Sequence, residues 1–228
     1  MSTLQTIDHN GRRWYIDGDG KHYVSVTQAI SYISDFLGED EWAGVPKSIL
    51  EVHRLEGIGC HEACLNWLAF THGLYSRFDL PVKPPNHPDE GRWKNVIANA
   101  LRGFEEWCDK RKPTPLCIEQ PSVNTRYGLA GCPDFKGVLS ISERHLIGVK
   151  AIIELKFTAA LIKAHRIQTR TYRRLDGYQD CRLGVLVRID RGTGAVDEQM
   201  VLWDQEPHHD AAVLHALGLL QWSRQHGS

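Results

Sequence analysis

The sequence predicts an α+β fold in which helices flank strands that lie mainly in the middle of the chain. Two observations carry this prediction. Apolar residues recur with helical spacing in the first and last parts of the 228-residue chain, and short β-rich runs separated by turns occupy its middle. No long Ser/Gly-rich linker divides the sequence, so we expect one domain over residues 1–228. Within it, a hairpin and helical region spans about residues 1–112 and a β-rich core about 113–228.

The first half of the chain predicts a hairpin followed by helices. Aromatic runs at 14–16 and 22–24 flank the turn Asp17-Gly-Asp-Gly20, a pattern typical of two paired strands. Thr27 is a candidate N-cap for the first helix, and the prolines between Pro81 and Pro88 mark a loop. The helical spacing of apolar side chains predicts three helices, over residues 28–37, 48–70 and 92–110.

The second half alternates between strands and helices. Short β-rich runs predict three consecutive strands, over residues 116–125, 128–139 and 151–157. A basic amphipathic helix, two further strands and a closing helix follow, over residues 159–175, 184–190, 199–203 and 209–225.

Composition constrains the partners and the compartment. The net charge is only −1, but residues 156–191 hold nine Lys/Arg against three acids, so one face can attract phosphates. No run approaches the roughly 18 apolar residues that a membrane span needs, and the N-terminus lacks a signal-peptide core. We therefore expect a soluble, cytoplasmic protein with no membrane partner. Its six cysteines are scattered through a chain large enough to fold without disulfides, which predicts reduced thiols.

The segment over residues 151–157 is the most informative for chemistry. Because side chains alternate across a strand, Glu154 and Lys156 share one face, opposite Leu155 and its apolar neighbours. Asp134 follows a turn 20 positions before Glu154, so adjacent antiparallel strands can bring the two acids together. Two carboxylates suit a hard cation such as Mg²⁺, and a water bound to that cation can attack a phosphorus atom. Lys156 would orient that water or help to deprotonate it. The alternatives are a solvated ion pair on an edge strand and, for Asp134, an ordinary turn residue.

Pro133-Asp134 together with Glu154-Leu155-Lys156 resembles the signature of the PD-(D/E)XK nuclease superfamily. The short signature recurs by chance in the same chain. Parts of it are matched by Asp19-Gly-Lys21, by Asp134-Phe-Lys136 and by Pro88-Asp89. The surrounding sequence must therefore decide which match is meaningful.

Four surrounding features resemble the RecB-like and phage-exonuclease branch of that superfamily. Ser25-Val-Thr27 resembles an entry motif, and His61 in Gly59-Cys-His61-Glu62 resembles the histidine of a Gly-x-x-His helix motif. Glu119 stands on the strand before the turn that leads to Asp134. Gln168 and Tyr172 resemble a Gln-x-x-x-Tyr motif on the helix after Lys156. Together with the signature, these features cover roughly residues 25–190 in the expected order.

The resemblance implies a central mixed β-sheet with an antiparallel meander, flanked by helices in a restriction-endonuclease-like core, with the catalytic core in residues 113–228. It implies that Asp134, Glu154, the Leu155 carbonyl and His61 surround one or two Mg²⁺ or Mn²⁺ ions. Glu119, Gln168 and Tyr172 join the catalytic set. The implied reaction is hydrolysis of DNA by a phage-type exonuclease in recombination or repair, working beside a recombination or single-strand-annealing protein. Iron–sulfur members carry a cysteine trio near the C-terminus that this chain lacks, so no cluster is expected.

Competing interpretations stay open for several of these residues. His61, with Cys60 and Cys64 nearby, also fits a satisfied core histidine or part of a zinc site. Gln168 and Tyr172 also fit one face of an amphipathic helix, and Glu119 also fits a solvent-facing position on a strand. Four arginines next to the site are either phosphate contacts or a solvated helix face, namely Arg166, Arg170, Arg173 and Arg174. For the whole chain, the alternatives are a non-catalytic nucleic-acid-binding or assembly protein and a sequence-specific restriction-type endonuclease.

Overall fold

The computed structural model describes residues 4–9, 12–37, 44–142, 146–205 and 208–226. Within these ranges the chain forms ten strands and five helices. The strands are β1 (Gln5–His9), β2 (Arg12–Ile16), β3 (His22–Ser25), β4 (Thr114–Ile118), β5 (Ser122–Asn124), β6 (Leu129–Gly131), β7 (Phe135–Ile141), β8 (Leu146–Lys156), β9 (Leu183–Ile189) and β10 (Val196–Leu202). The helices are α1 (Val26–Leu37), α2 (Lys47–Thr71), α3 (Glu90–Arg111), α4 (Lys163–Tyr172) and α5 (His208–His226).

The larger sheet is mixed and has the strand order β10-β9-β8-β7-β4. Strands β4, β7 and β8 pair antiparallel, as the predicted meander requires, and β8 pairs parallel with β9. A parallel pair needs a crossover connection, and α4 supplies it between β8 and β9. The central strand β8 therefore has a partner on each side, and its side chains alternate between two covered faces.

Helices cover both faces of this sheet. On one face, α2 and α3 pack against Ile153 and Leu155 of β8 in the main hydrophobic core. On the other face, α4, α1 and α5 form a second core that includes Ile152. This arrangement confirms the predicted fold class, a mixed sheet flanked by helices. None of the described helices has the length and hydrophobicity needed to cross a membrane.

A second sheet, which the sequence did not predict, has the order β1-β2-β3-β6-β5. The predicted hairpin corresponds to β2 and β3, β1 extends it, and β3 pairs parallel with β6. The expected strands over residues 116–125 and 128–139 each divide in two. Glu119 adopts a positive φ of 43°, and Pro133 has no backbone N–H to continue a ladder. Strands β5 and β6 lie between these two breaks and belong to the second sheet. The chain then passes through Asp134 and enters β7.

Helix α4 begins at Lys163, four residues after the predicted start. The segment before it is held outside the helix because the Arg188 Nε donates to the carbonyls of Thr158 and Ala159 at 3.1 and 2.9 Å. Helix α3 begins where the Asp89 carboxylate accepts the Arg92 backbone N–H at 2.9 Å, a side-chain N-cap.

Candidate active site

Asp134 lies in the loop that leads directly into β7, and it is fixed against β8 from two sides. Its Oδ2 accepts the backbone N–H of Leu155 at 2.6 Å, and its own backbone N–H donates to Oε1 of Glu154 at 3.2 Å. The antiparallel register that pairs Phe135 with Ile153 brings these residues together. The two acids separated by 20 positions are thus in contact, as the strand argument predicts.

Glu154 and Lys156 point from β8 toward α4, on the shared face that strand alternation predicts. The Lys156 Nζ lies 3.1 Å from Oε2 of Glu154 and 3.0 Å from Oε1 of Gln168. Glu154 is only 1% exposed and lies in a central strand, so a solvated ion pair on an edge strand does not describe this arrangement. A carboxylate buried to this degree needs partners, and Lys156 and the Asp134 N–H supply them.

Gln168 and Tyr172, one helical turn apart on α4, extend this network. The Gln168 Nε2 donates to the Tyr172 hydroxyl at 2.9 Å, and both residues are buried. Gly131 makes room for the ring, because a Cβ there would lie 2.7 Å from Cε1 of Tyr172. Burial and the nearby Glu154 carboxylate raise the pKa of Tyr172 far above its usual value, so the phenol stays protonated.

His61 reaches the site from the opposite side of the sheet, on α2. Its Nε2 lies 2.8 Å from Oδ1 of Asp134, and its Nδ1 lies 3.7 Å from Oε1 of Glu119. Glu119 is the most exposed member, with 58% of its side chain accessible. Gly59, two residues before His61, lets α2 approach α3, because a Cβ there would lie 2.3 Å from the Trp93 ring. The His61 side chain is 27% accessible and lines a cleft together with Lys156, so it lies at the edge of the hydrophobic core and not inside it.

The charges in this cluster influence one another strongly. Burial alone would lower the pKa of His61, but the carboxylates of Asp134, Glu119 and Glu154 raise it to about 9. Burial raises the pKa of Asp134, but His61, Lys156 and the Leu155 N–H outweigh burial and lower it. Burial and the negative Asp134 raise the pKa of Glu154 to about 7, against the opposing effect of Lys156. The site therefore places an ionised Asp134 beside a Glu154 carboxyl whose pKa lies close to neutral pH.

The structure assigns other roles to the competing signature matches. The Lys136 ammonium binds the Gly177 carbonyl and the Asp180 carboxylate, both at 2.6 Å, away from Glu154. Lys21 belongs to the exposed hairpin turn that the Asp17 carboxylate organises. Asp89 caps α3. Among the matches in the sequence, the one at residues 134, 154 and 156 forms the buried cluster.

The donor set suits a divalent cation of the magnesium type. The 2.8 Å between His61 Nε2 and Asp134 Oδ1 is that of a charge-assisted hydrogen bond, so an ion held by both groups would have to displace the proton between them. Over the described ranges, no three His, Cys, Asp or Glu side chains are already gathered as a complete metal site. Both Glu154 oxygens are instead engaged, by the Asp134 N–H and by Lys156. A dication would have to draw one of them away from these partners.

The four arginines on and after α4 differ in exposure and in their partners. Arg170 is 3% exposed and donates to the carbonyls of Leu202, Trp203 and Gln205 at 2.5–2.9 Å, so its guanidinium is structural and unavailable to DNA phosphate. Arg173 is exposed and stacks over Trp203, with 5.4 Å to the ring centroid. Arg174 and Arg166 are partly buried, and Arg174 lies 3.5 Å from Asp210. The phosphate contact predicted for these arginines, and the solvated helix face that was its alternative, are therefore both wrong for Arg170.

A polar cluster beside the site was missed by sequence reasoning. Glu56 on α2 is 1% exposed, and its carboxylate binds Arg92 of α3 and Arg191, which follows β9. These residues lie on three different elements, so no spacing in the sequence connects them. Arg191 also lines a cleft of about 950 Å³ that includes His61 and Lys156.

Comparisons with known proteins add little to this geometry. No family model matches the sequence, and no curated protein matches it. Among solved structures, the crystal structure of SSO0001 is similar, with 18% sequence identity over 58% of this chain and a TM-score of 0.34. The match covers 62% of the SSO0001 chain, so this chain spans less than two thirds of that protein. A likeness this distant does not bear on function.

Proposed function

We propose that the protein is a metal-dependent deoxyribonuclease that hydrolyses DNA phosphodiester bonds. The observation that carries the proposal is the meeting of Asp134, Glu154 and Lys156 in one buried cluster, where the start of β7 pairs with the end of β8. An ionised carboxylate, a second carboxyl and an ammonium are costly to bury together unless they serve a polar function. A hard cation and a phosphate are the ligands that this combination of charges suits best.

In this proposal Asp134, Glu154, the Leu155 carbonyl and His61 hold one or two Mg²⁺ or Mn²⁺ ions. A bound ion supplies Lewis acidity toward the phosphate and lowers the pKa of a coordinated water. Lys156 orients or helps to deprotonate the attacking water and offsets phosphate charge. Gln168 fixes the Lys156 ammonium through its Oε1, and the Tyr172 hydroxyl fixes the Gln168 amide in turn. Glu119, being exposed beside His61, is a less constrained member of the set.

The finer assignment rests on the resemblance of the motifs to the RecB-like and phage-exonuclease branch. On that basis we propose an exonuclease that acts on cytoplasmic DNA in recombination or repair, beside a recombination or single-strand-annealing protein. A non-catalytic nucleic-acid-binding or assembly protein is the alternative from another class. The intact contacts among all three signature residues favour the enzyme over it.

The deciding experiment is digestion of end-labelled linear DNA with Mg²⁺, Mn²⁺ or EDTA. We expect degradation with either metal and none with EDTA. Asp134→Asn should abolish degradation, while Asp180→Asn, which alters a carboxylate paired with Lys136 and Lys150, should retain it. Equal cutting by the Asp134→Asn variant would reject the site. Resistance of circular plasmid would favour an exonuclease, and discrete fragments would favour the restriction-type alternative.

A further inference from the structure

A pocket of about 280 Å³ lies on the side of α4 that faces away from the candidate active site. Its wall includes Arg170, which stands two positions after Gln168 and therefore about 200° around the helix from it. An α-helix is about 10–12 Å across, so α4 separates the pocket from the Lys156 ammonium that Gln168 binds. None of the residues that line the pocket belongs to the catalytic candidates.

Positive charge dominates the lining of this pocket. Three arginines line it, namely Arg170, Arg173 and Arg174, against a single carboxylate, that of Asp210. The carboxylate is shared between two of them. Its Oδ2 lies 3.2 Å from Nη2 of Arg170, and its Oδ1 lies 3.5 Å from Nη2 of Arg174. The lining therefore carries two positive charges that no acid in it offsets.

The charged groups just outside the lining do not cancel this excess. Arg126 lies 5.5 Å from the ring centroid of Tyr127, and Asp176 accepts from Gln179 at 3.4 Å, so these two charges offset each other. Asp204, two residues after β10, is exposed and adds one negative charge. With all three groups counted, an excess of one positive charge remains around the pocket within the described ranges.

Aromatic rings hold two of the guanidinium groups without neutralising them. Arg173 lies over Trp203 and Arg174 lies over Tyr127, each 5.4 Å from the ring centroid. A ring attracts a cation through its quadrupole and leaves the charge of that cation intact. The 3.5 Å between Arg174 and Asp210 exceeds the roughly 2.7–2.9 Å of a charge-assisted hydrogen bond. Both guanidinium groups therefore keep donors available for an anion.

Hydrogen bonds fix the frame of the pocket. The Asn124 Nδ2 donates to the Arg174 carbonyl at 2.5 Å, and the Trp203 Nε1 donates to the Cys181 carbonyl at 2.8 Å. Arg170 is held by the three carbonyls that surround it, so it contributes its charge to the pocket without moving. A frame fixed in this way lowers the entropic cost of binding a ligand.

We propose that this pocket binds the phosphate group of a phosphate monoester such as a mononucleotide. The planar forks of two guanidinium groups match phosphate oxygens, and a dianion offsets the two unpaired charges of the lining. The volume lies near the lower limit of about 300 Å³ for ligand pockets, so a small ligand fits and a folded partner does not enter. The inference does not depend on the proposed nuclease function.

The test follows the melting temperature of the whole protein in EDTA at constant ionic strength. The probes are inorganic phosphate, thymidine 5′-monophosphate and thymidine. We expect the first two to raise the melting temperature saturably, by about 3–6 °C at ten times the dissociation constant. Thymidine lacks the phosphate group and should leave the melting temperature unchanged.

Two arginine variants locate the binding. Arg173→Met removes an exposed guanidinium of the lining and should weaken binding of thymidine 5′-monophosphate about tenfold, because one charge-assisted contact is lost. Arg126→Met removes the same charge from an exposed neighbour that does not line the pocket. It should change the dissociation constant less than about twofold.

A second pair of variants adds charge instead of removing it. Gln179→Glu places a carboxylate at an exposed position in the lining and should weaken binding several-fold. Gln5→Glu makes the same exchange on β1, which is at the opposite edge of the second sheet from β5 and Asn124. It should leave binding unchanged, because exposed charges this far apart are screened by salt.

A wild-type protein whose melting temperature responds to neither phosphate nor thymidine 5′-monophosphate overturns the inference. Unchanged binding by both Arg173→Met and Gln179→Glu overturns it as well, as does equal weakening by Arg126→Met. A DNA duplex without terminal phosphates that binds with the same dependence on Arg173 would overturn the monoester assignment in favour of backbone phosphate. DNA cleavage without phosphate binding rejects the pocket alone, and phosphate binding without cleavage rejects the nuclease function alone.

Discussion

The Nε2 atom of His61 lies 2.8 Å from Oδ1 of Asp134, although 73 residues separate them in the chain. The contact joins α2, which covers one face of the large sheet, to Asp134 just before β7. Asp134 also contacts Glu154, whose side chain points to the other face. Since Asp134 also binds the Leu155 N–H and Glu154, its orientation is determined from three directions. A side chain fixed in this way is preorganised for a ligand.

The first prediction concerns His61 as a metal ligand. His61→Ala should raise the Mg²⁺ concentration required for half-maximal DNA hydrolysis by about tenfold or more, because one donor atom is lost. The measurement is a metal titration of the cleavage rate, with folding followed by circular dichroism. His72→Ala, at the exposed C-terminal end of α2, is the matched control. An unaltered metal requirement in His61→Ala would remove His61 from the proposed ligand set.

The second prediction contrasts two lysines that both complete an acid-x-Lys match. Lys156→Ala should lower the single-turnover rate of DNA cleavage by about 100-fold or more, because its ammonium lies within the carboxylate cluster. Lys136→Ala should keep the rate and lose only about 1 kcal/mol of unfolding free energy, since its ammonium binds Gly177 and Asp180. If Lys136→Ala lost the cleavage rate and Lys156→Ala kept it, the active site would have to be assigned to the match that ends at Lys136.

The third prediction separates structural from exposed arginines. Arg170→Met should lower the unfolding free energy by about 3 kcal/mol, because three carbonyls and Asp210 lose a buried charged donor. Arg173→Met should change it by no more than about 0.5 kcal/mol, because that side chain is exposed. Urea denaturation measures both values. A stable Arg170→Met variant that binds DNA poorly would restore Arg170 as a phosphate contact.

The fourth prediction concerns the pH dependence of stability at the start of α4. Burial, with a smaller effect from Lys156, lowers the pKa of His165 from 6.5 to about 4, and its Nδ1 accepts the Ile162 N–H at 3.3 Å. The folded state therefore binds fewer protons than the unfolded state between pH 6.5 and 4. Stability should fall as the pH drops through this window, by up to about 1.4 kcal/mol per pH unit from this residue.

The variant His165→Gln removes this titration, so its unfolding free energy should depend less steeply on pH in the same window. Urea denaturation at several pH values compares it with the wild-type protein. Curves that stay parallel from pH 6.5 to 4 would show that His165 titrates alike in the folded and unfolded states.

The sequence by itself determined the local features of this protein. Alternation along β8 placed Glu154 and Lys156 on one face, and helical spacing located α2 and α3 to within two residues at each end. These patterns are readable because strand and helix geometry repeat every few residues, whatever the rest of the chain does.

Tertiary structure alone decided several contacts between distant elements. The sequence favoured Lys156 over Lys136 only through the motifs around them, whereas the structure shows the Lys136 ammonium bound to Asp180 and Gly177. It treated Arg170 as a surface residue, because the carbonyls that surround it come from the end of β10 and the turn that follows. It also missed the cluster around Glu56, because contacts between distant elements arise from packing and leave no periodic trace in the sequence.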